Sequence, residues 1–334
     1  WILVPIKSPI RIISFLLATN VFQAARAAKA VNPLADKPTL LAAFINDEKS
    51  SSRRSFREET EKNSRAFYLD NDILALGQKD RDYTGGMSVT LSGPDATTRP
   101  LSVDFALGTL NNWIGIEKPD AKILHSFEFG MTAFTPENIR TEQALFDDRP
   151  YASLIYVSNT KQFVDVQNKS SMITSLTLGV LGLDLAPRFQ SQIHKVTGSK
   201  QARGWKHQIS EGGELTFRYS VSKQKIRWSS YSRPNHNYEI KTANSVSMGY
   251  LTEASWSVSG RYGKLRSPWS TFNPQNVTYS EKNLPLANNT SKSKNEFYVW
   301  AGLSIHARAY NAFLQGQFRS SDVTYKSEDL KKIV

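Results

Sequence analysis

Residues 297–308 read Phe-Tyr-Val-Trp-Ala-Gly-Leu-Ser-Ile-His-Ala-Arg, and this stretch decides the fold class. Apolar side chains occupy every second position from Phe297 to Ile305. Successive side chains of a strand point to opposite faces of a sheet, so this alternation predicts a strand with one apolar face. The same period of two recurs in three further stretches, which are residues 87–92, 215–222 and 255–259. The sequence therefore predicts an all-β protein from Ala66 onward.

Alternation also occurs in soluble β-sandwiches, so other features must distinguish a soluble sandwich from a membrane barrel. Aromatic residues recur on the predicted strands and near their ends, as the interface girdles of membrane barrels require. The alternating segments run about 9–11 residues, the length with which a tilted strand crosses a bilayer. A chain of 334 residues is long enough for one large barrel. These features favour a transmembrane antiparallel up-and-down β-barrel.

The first 65 residues differ from the rest of the chain. Residues 1–30 have a basic start at Lys7 and Arg11, a short apolar core and small residues around Ala27, which is typical of a secretory signal peptide. A buried amphipathic helix is the alternative reading. Residues 31–65 are dense in charges of both signs and predict a solvated N-terminal extension. The barrel is predicted to occupy residues 66–334.

Charge and cysteine content narrow the possible partners. The chain has 42 Lys and Arg against 30 Asp and Glu, and it contains no cysteine. The absence of cysteine excludes a disulfide scaffold, a thiolate zinc site and a cysteine nucleophile. The basic excess is diffuse and lies on an exported chain, so we expect anionic lipid rather than nucleic acid as the partner. A cysteine-free exported chain fits the envelope of a Gram-negative cell.

Three polar clusters stand near predicted strand ends. The first is Asn71-Asp72 with the following Asp-Arg-Asp-Tyr-Thr-Gly-Gly of residues 80–86. The second runs from Phe-Thr-Pro at 134–136 to Asp-Asp-Arg-Pro-Tyr-Ala at 147–152, and the third comprises residues 190–195 and 204–208. If strand one rises to Asn71, and a strand over 122–134 also rises, all three clusters meet at one end of the barrel. The stretch 93–121 is then a connection at the opposite end.

Taken in order, these motifs resemble those of the outer-membrane lipid A 3′-O-deacylases, over about residues 66–334. The resemblance implies a barrel of twelve strands with an active site at the outer rim, which removes a 3′-linked acyl group from lipid A with the help of calcium. It places His194 at the position of the histidine that activates water. Four further residues match positions of the surrounding site: Asn71, Asp72, Thr84 and Gln190.

The chemistry of these residue types fits that activity. An imidazole with a near-neutral pKa can take a proton from water. Calcium prefers oxygen ligands, and Asp72, Asn71 and Thr84 are the candidate metal ligands. Gln190 and His194 are four residues apart, so a helical turn would place them on one face.

Two arginines are candidates to hold the lipid A phosphates, because guanidinium groups bind phosphate strongly. They are Arg140 and Arg149. The second could instead be a buried arginine of the barrel wall. We expect a monomer in the bacterial outer membrane, with lipopolysaccharide and membrane lipids as its partners.

Several alternatives stay open at this stage. His207, next to Gln208, is the best rival base. An inactive barrel of the same family is favoured by Lys200, since the family often carries an acid there, and a porin-like channel is the other alternative. Residues 312–318 look like a strand, and the polar stretch 320–334 lacks an alternating segment. Because a closed barrel must pair its last strand with its first, we expect a final strand beyond this sequence.

Overall fold

The computed structural model describes residues 63–71, 85–116, 121–197, 201–231, 236–274 and 296–333. Nine antiparallel strands form one sheet in which each strand pairs with its neighbours in sequence, an up-and-down meander. The strands are β1 Ser64–Asn71, β2 Gly85–Ser92, β3 Lys122–Phe134, β4 Ala152–Asp165, β5 Ser170–Leu181, β6 Glu214–Ser230, β7 Asn237–Gly249, β8 Leu251–Lys264 and β9 Phe297–Asn311. The described residues also contain three α-helices: α1 Asp104–Ile114 between β2 and β3, α2 Leu185–Thr197 between β5 and β6, and α3 Ala312–Gln315 after β9.

The two faces of the sheet differ as the alternation predicts. One row of directly paired residues across six strands is apolar and largely exposed: Phe67, Val89, Phe129, Val157, Leu178 and Phe217. The neighbouring row, on the other face, is polar and buried: Thr90, Glu128, Ser158, Thr177 and Arg218. We call the first face the outer face and the second the inner face. An apolar exterior over a polar interior is the pattern of a membrane barrel wall.

The segment of residues 268–273, which follows β8, packs against the inner face at one end of the strands. Gln162 Nε2 donates to the carbonyl of Ser270 at 2.7 Å, and Lys241 Nζ donates to Asn273 Oδ1 at 3.1 Å. The buried guanidinium of Arg261 donates to Glu239 Oε2 at 2.6 Å. Buried charges are tolerated only when they are paired and hydrogen-bonded, and these contacts supply that pairing.

The other end of the inner face holds the apolar core. Phe313 of α3 packs there, with its ring centre 4.6 Å from that of Phe134 and 5.6 Å from that of Tyr250. The predicted strand over 312–318 is therefore wrong. Asn311 Oδ1 accepts a hydrogen bond from the backbone N–H of Phe313 at 3.0 Å, which caps a helical turn. That turn buries Phe313 together with Leu314, whereas a strand would place them on opposite faces.

The other strand predictions that fall on described residues are confirmed. The rising strand predicted over 122–134 is β3, and the stretch 93–121 connects β2 to β3 at the opposite end, although it contains a helix that the period of two did not reveal. The predicted signal peptide and nearly all of the extension lie outside the described residues.

Among the described residues, β1 and β9 form the two edges of a nine-stranded sheet. In the same ranges, no helix combines the length and the apolarity needed to cross a membrane.

Candidate active site

The strand ends bring the three motif clusters to one end of the sheet, which we call the site end. Asn71, the last residue of β1, pairs with Gly85, and Gly85 pairs in turn with Ala133 near the end of β3. The loop of residues 135–151 and the segment 182–213 leave the sheet at this same end. The described parts of the three clusters therefore lie at one end of the sheet.

Helix α2 carries two of the predicted site residues, Gln190 and His194. It begins at Leu185, shortly after β5 ends at Leu181, and it approaches β3 rather than staying beside its own strand. The strand β3 is the neighbour of β2, whose first residue pairs with Asn71. The helix thus runs toward the part of the site end that carries the first motif cluster.

A hydrogen bond fixes this helix to the third cluster. The indole Nε1 of Trp205 donates to Gln190 Oε1 at 2.8 Å. The ring of Trp205 packs against Tyr151, with 4.8 Å between the ring centres, and the Tyr151 hydroxyl donates to the carbonyl of Ile139 at 3.3 Å. Burial raises the pKa of Tyr151 to about 12, so its phenol stays neutral. These contacts join α2 to the segment that holds Trp205 and to the loop of residues 135–151.

Further motif residues support the loops rather than facing a substrate. Ser153 Oγ donates to Gln208 Oε1 at 3.0 Å, and the backbone N–H of Ile209 donates to the carbonyl of Tyr151 at 2.8 Å. Asp148 Oδ2 accepts the backbone N–H of Glu137 at 2.6 Å. The sequence motifs mark these positions, but their supporting role becomes visible only from the contacts.

The rival base His207 is held on both sides of its ring. Its Nδ1 lies 2.5 Å from Asp322 Oδ2, and its Nε2 lies 3.0 Å from the carbonyl oxygen of Glu142. Both neighbours are hydrogen-bond acceptors, so each ring nitrogen is already engaged by the protein. A ring held on both sides in this way has no nitrogen directed at a substrate, which argues against His207 as the base.

The two arginines proposed for phosphate binding have different surroundings. Arg140 is exposed on the loop at the site end, and its backbone N–H donates to Asn138 Oδ1 at 3.2 Å. Arg149 is buried, and its guanidinium lies 4.5 Å from the ring centre of Phe134. That distance is typical of a cation–π contact. Of the two, Arg140 is the arginine that a ligand could reach directly from outside.

Several predicted site residues stay predictions. Asp72, Thr84 and Lys200 lie outside the described residues, and the side chains of Asn71 and His194 do as well. Within the described ranges, no three His, Asp or Glu side chains are grouped so that they could hold a metal ion. The predicted ligand set consists of an amide, a carboxylate and a hydroxyl, and these oxygen donors suit calcium.

Comparison with known proteins gives the family. The model of the family described as "Outer membrane protein LpxR" matches residues 16–334. The chain belongs to this family. Among solved structures it is similar to LpxR from Salmonella typhimurium, with a TM-score of 0.56 and 18% sequence identity, over 77% of this chain and 80% of that one. At that identity the likeness shows a shared fold. The search of curated proteins found no match.

Proposed function

We propose that this LpxR-family chain hydrolyses the 3′-linked acyl ester of lipid A at the site end of the sheet, as a monomer in the bacterial outer membrane. One observation carries the proposal. Helix α2, with His194 in it, contacts β3, and β3 pairs with Gly85, the partner of Asn71 at the end of β1, although the helix and β1 are far apart in sequence. Lipopolysaccharide occupies the outer leaflet, so the site end would face outward.

The reaction proposed is a general-base hydrolysis. His194 takes a proton from water, the water oxygen attacks the ester carbonyl carbon, and the bond from that carbon to the sugar oxygen breaks. The proton passes to the sugar oxygen, which leaves as a hydroxyl group, and the acyl group leaves as a carboxylic acid. Calcium, when bound, supplies positive charge that stabilises the developing oxyanion. Asn71, Asp72 and Thr84 would hold it through oxygen atoms.

Gln190 has a positioning role in this scheme. Its side-chain oxygen is engaged by Trp205, so the amide fixes the rotation of α2 about its axis. Gln190 and His194 are one turn apart on that helix, so fixing one fixes the other. Arg140, exposed at the site end, would contact a lipid A phosphate, whereas the buried Arg149 would support the loop beneath it.

The packing of the inner face argues against the porin-like alternative. Residues 268–273 lie on this face at one end, and α3 fills it at the site end. A wide aqueous channel needs an inner face left open to water. In the described part of the chain, that face is instead covered by protein from both ends.

The test is a mass spectrum of lipid A incubated with the purified protein. Wild-type protein is expected to release the 3′-linked acyl unit, and a calcium chelator is expected to stop that release until calcium is restored. His194→Ala should abolish the release while its heat-modifiable migration on gels shows a folded barrel. Unchanged lipid A with wild-type protein supports the inactive-barrel alternative. Full activity of His194→Ala would reject the proposed base.

A further inference from the structure

Helix α1 packs on the outer face of the sheet, outside the polar interior. The backbone N–H of Val103 donates to Asn159 Oδ1 at 2.8 Å, and Asn111 Nδ2 donates to Thr174 Oγ1 at 2.9 Å. Asn159 lies between Ser158 and Thr160, whose side chains are on the inner face, and it pairs with Leu176 of β5. Because side chains alternate along a strand, Asn159 and Thr174 belong to the outer face.

The patch beneath this helix is polar, unlike the apolar row of the outer face that runs from Phe67 to Phe217. Lys161 Nζ lies 3.2 Å from Asp104 Oδ2, and both side chains are only 14% exposed. Asn159 and Thr174 are fully buried next to this pair. An amide and an ammonium group that face hydrocarbon without partners are strongly unfavourable. The helix supplies those partners, which explains why a polar patch is tolerated on this wall.

The opposite side of the helix is exposed and uncharged. Phe105 is 88% exposed and Trp113 is 86% exposed, and the exposed polar residues on this side, Thr109 and Asn112, carry no charge. Asp104 is the only charged residue between 104 and 114, and it is paired with Lys161. A helix side that faces water normally carries charged residues. The uncharged, aromatic side of α1 is typical of a helix that lies in a membrane interface.

We propose that α1 is an interfacial helix that inserts Phe105 and Trp113 into the leaflet at the opposite end of the strands from the site. The exposed side of α1 would contact the acyl chains of phospholipid. The family is located in the outer membrane, where the apolar outer face of the sheet contacts lipid, and α1 continues that face. Thr174 stands four residues from the start of β5, roughly 13 Å along the strand. This depth is compatible with the interface of that leaflet, where tryptophan is enriched.

The proposal rests on family membership and not on the proposed reaction, so an inactive protein would anchor in the same way. Its test uses the absence of cysteine, which makes a single introduced thiol a unique site for a spin label. Trp113→Cys and Phe105→Cys are labelled in phospholipid vesicles, and the collision rates of the label with oxygen and with a water-soluble nickel chelate are compared. Phe217→Cys on the outer face is the lipid control, and Lys169→Cys in the turn at the same end as α1 is the aqueous control.

The expected oxygen-to-nickel ratio at positions 105 and 113 matches that at 217 and is several times the ratio at 169. A ratio equal to that at 169 would overturn the proposal, because the helix would then lie in water. Low collision rates with both reagents would also overturn it, since a protein partner would then cover the helix. Gel mobility before and after heating reports folding. Thr109→Cys, which is exposed and lies between Phe105 and Trp113 on the same side of the helix, replaces either variant that does not fold.

Discussion

The hydrogen bond between Trp205 and Gln190 makes a quantitative prediction about helix α2. Trp205→Phe removes the indole N–H that donates at 2.8 Å and keeps an aromatic ring against Tyr151. A neutral hydrogen bond contributes about 0.5–1.5 kcal/mol net. Because 1.4 kcal/mol is a factor of ten, the equilibrium constant for local opening of α2 should rise roughly 2- to 12-fold. Hydrogen exchange of peptides from residues 185–197 measures that change directly.

The controls for this prediction come from the same pair. Gln190→Leu removes the acceptor and should raise exchange as much as Trp205→Phe does, and the double variant should add little. Gln190→Glu keeps an acceptor oxygen for the indole and should change exchange less. Peptides of β6 should be unaffected in all variants. Unchanged exchange in α2, or fully additive effects of the two single variants, would refute the view that this bond holds the helix.

Three further predictions concern the core, the rival base and the buried ion pair. Phe313→Ala should lower the free energy of unfolding by about 3–5 kcal/mol, whereas the exposed Phe318→Ala should change it by less than about 0.5 kcal/mol, as measured by urea unfolding. His207→Gln should retain most of the proposed lipid A hydrolysis, since both ring nitrogens already face acceptors, and complete loss of product would contradict this. Arg261→Met should cost about 3–5 kcal/mol, because it leaves the Glu239 carboxylate buried without its cation, and an unchanged urea midpoint would contradict that reasoning.

Local sequence pattern predicted the strands and their directions. The period of two located β2, β6, β8 and β9, and the alternation of rising and falling strands predicted β3 and placed the motif clusters at one end. The spacing of Gln190 and His194 likewise predicted a helical turn, which α2 provides. These features depend on neighbours within one strand or one helix turn, so they can be read from the sequence.

Features set by contacts distant in sequence could not be predicted in this way. Helix α1 is held on the outer face by the bond from Asn111 to Thr174, two residues that are 63 apart in sequence. The sequence of residues 312–318 looks like a strand, and only the contact of Phe313 with Phe134 and Tyr250 explains the helical turn that buries it. The same holds for the bond between Trp205 and Gln190, which no periodicity reveals.

The central claim is that the Asn71-Asp72 cluster and helix α2 form one site, and thiol crosslinking tests it most directly. Asp72→Cys and His194→Cys are combined in the cysteine-free chain and treated in membranes with a short bifunctional thiol reagent. Gln190→Cys with Trp205→Cys is the positive control, and Asp72→Cys with Lys169→Cys, at opposite ends of the strands, is the negative control. We expect the pair 72 and 194 to crosslink as readily as the positive control. Crosslinking no greater than that of the negative control, in a folded protein, would contradict the proposed site.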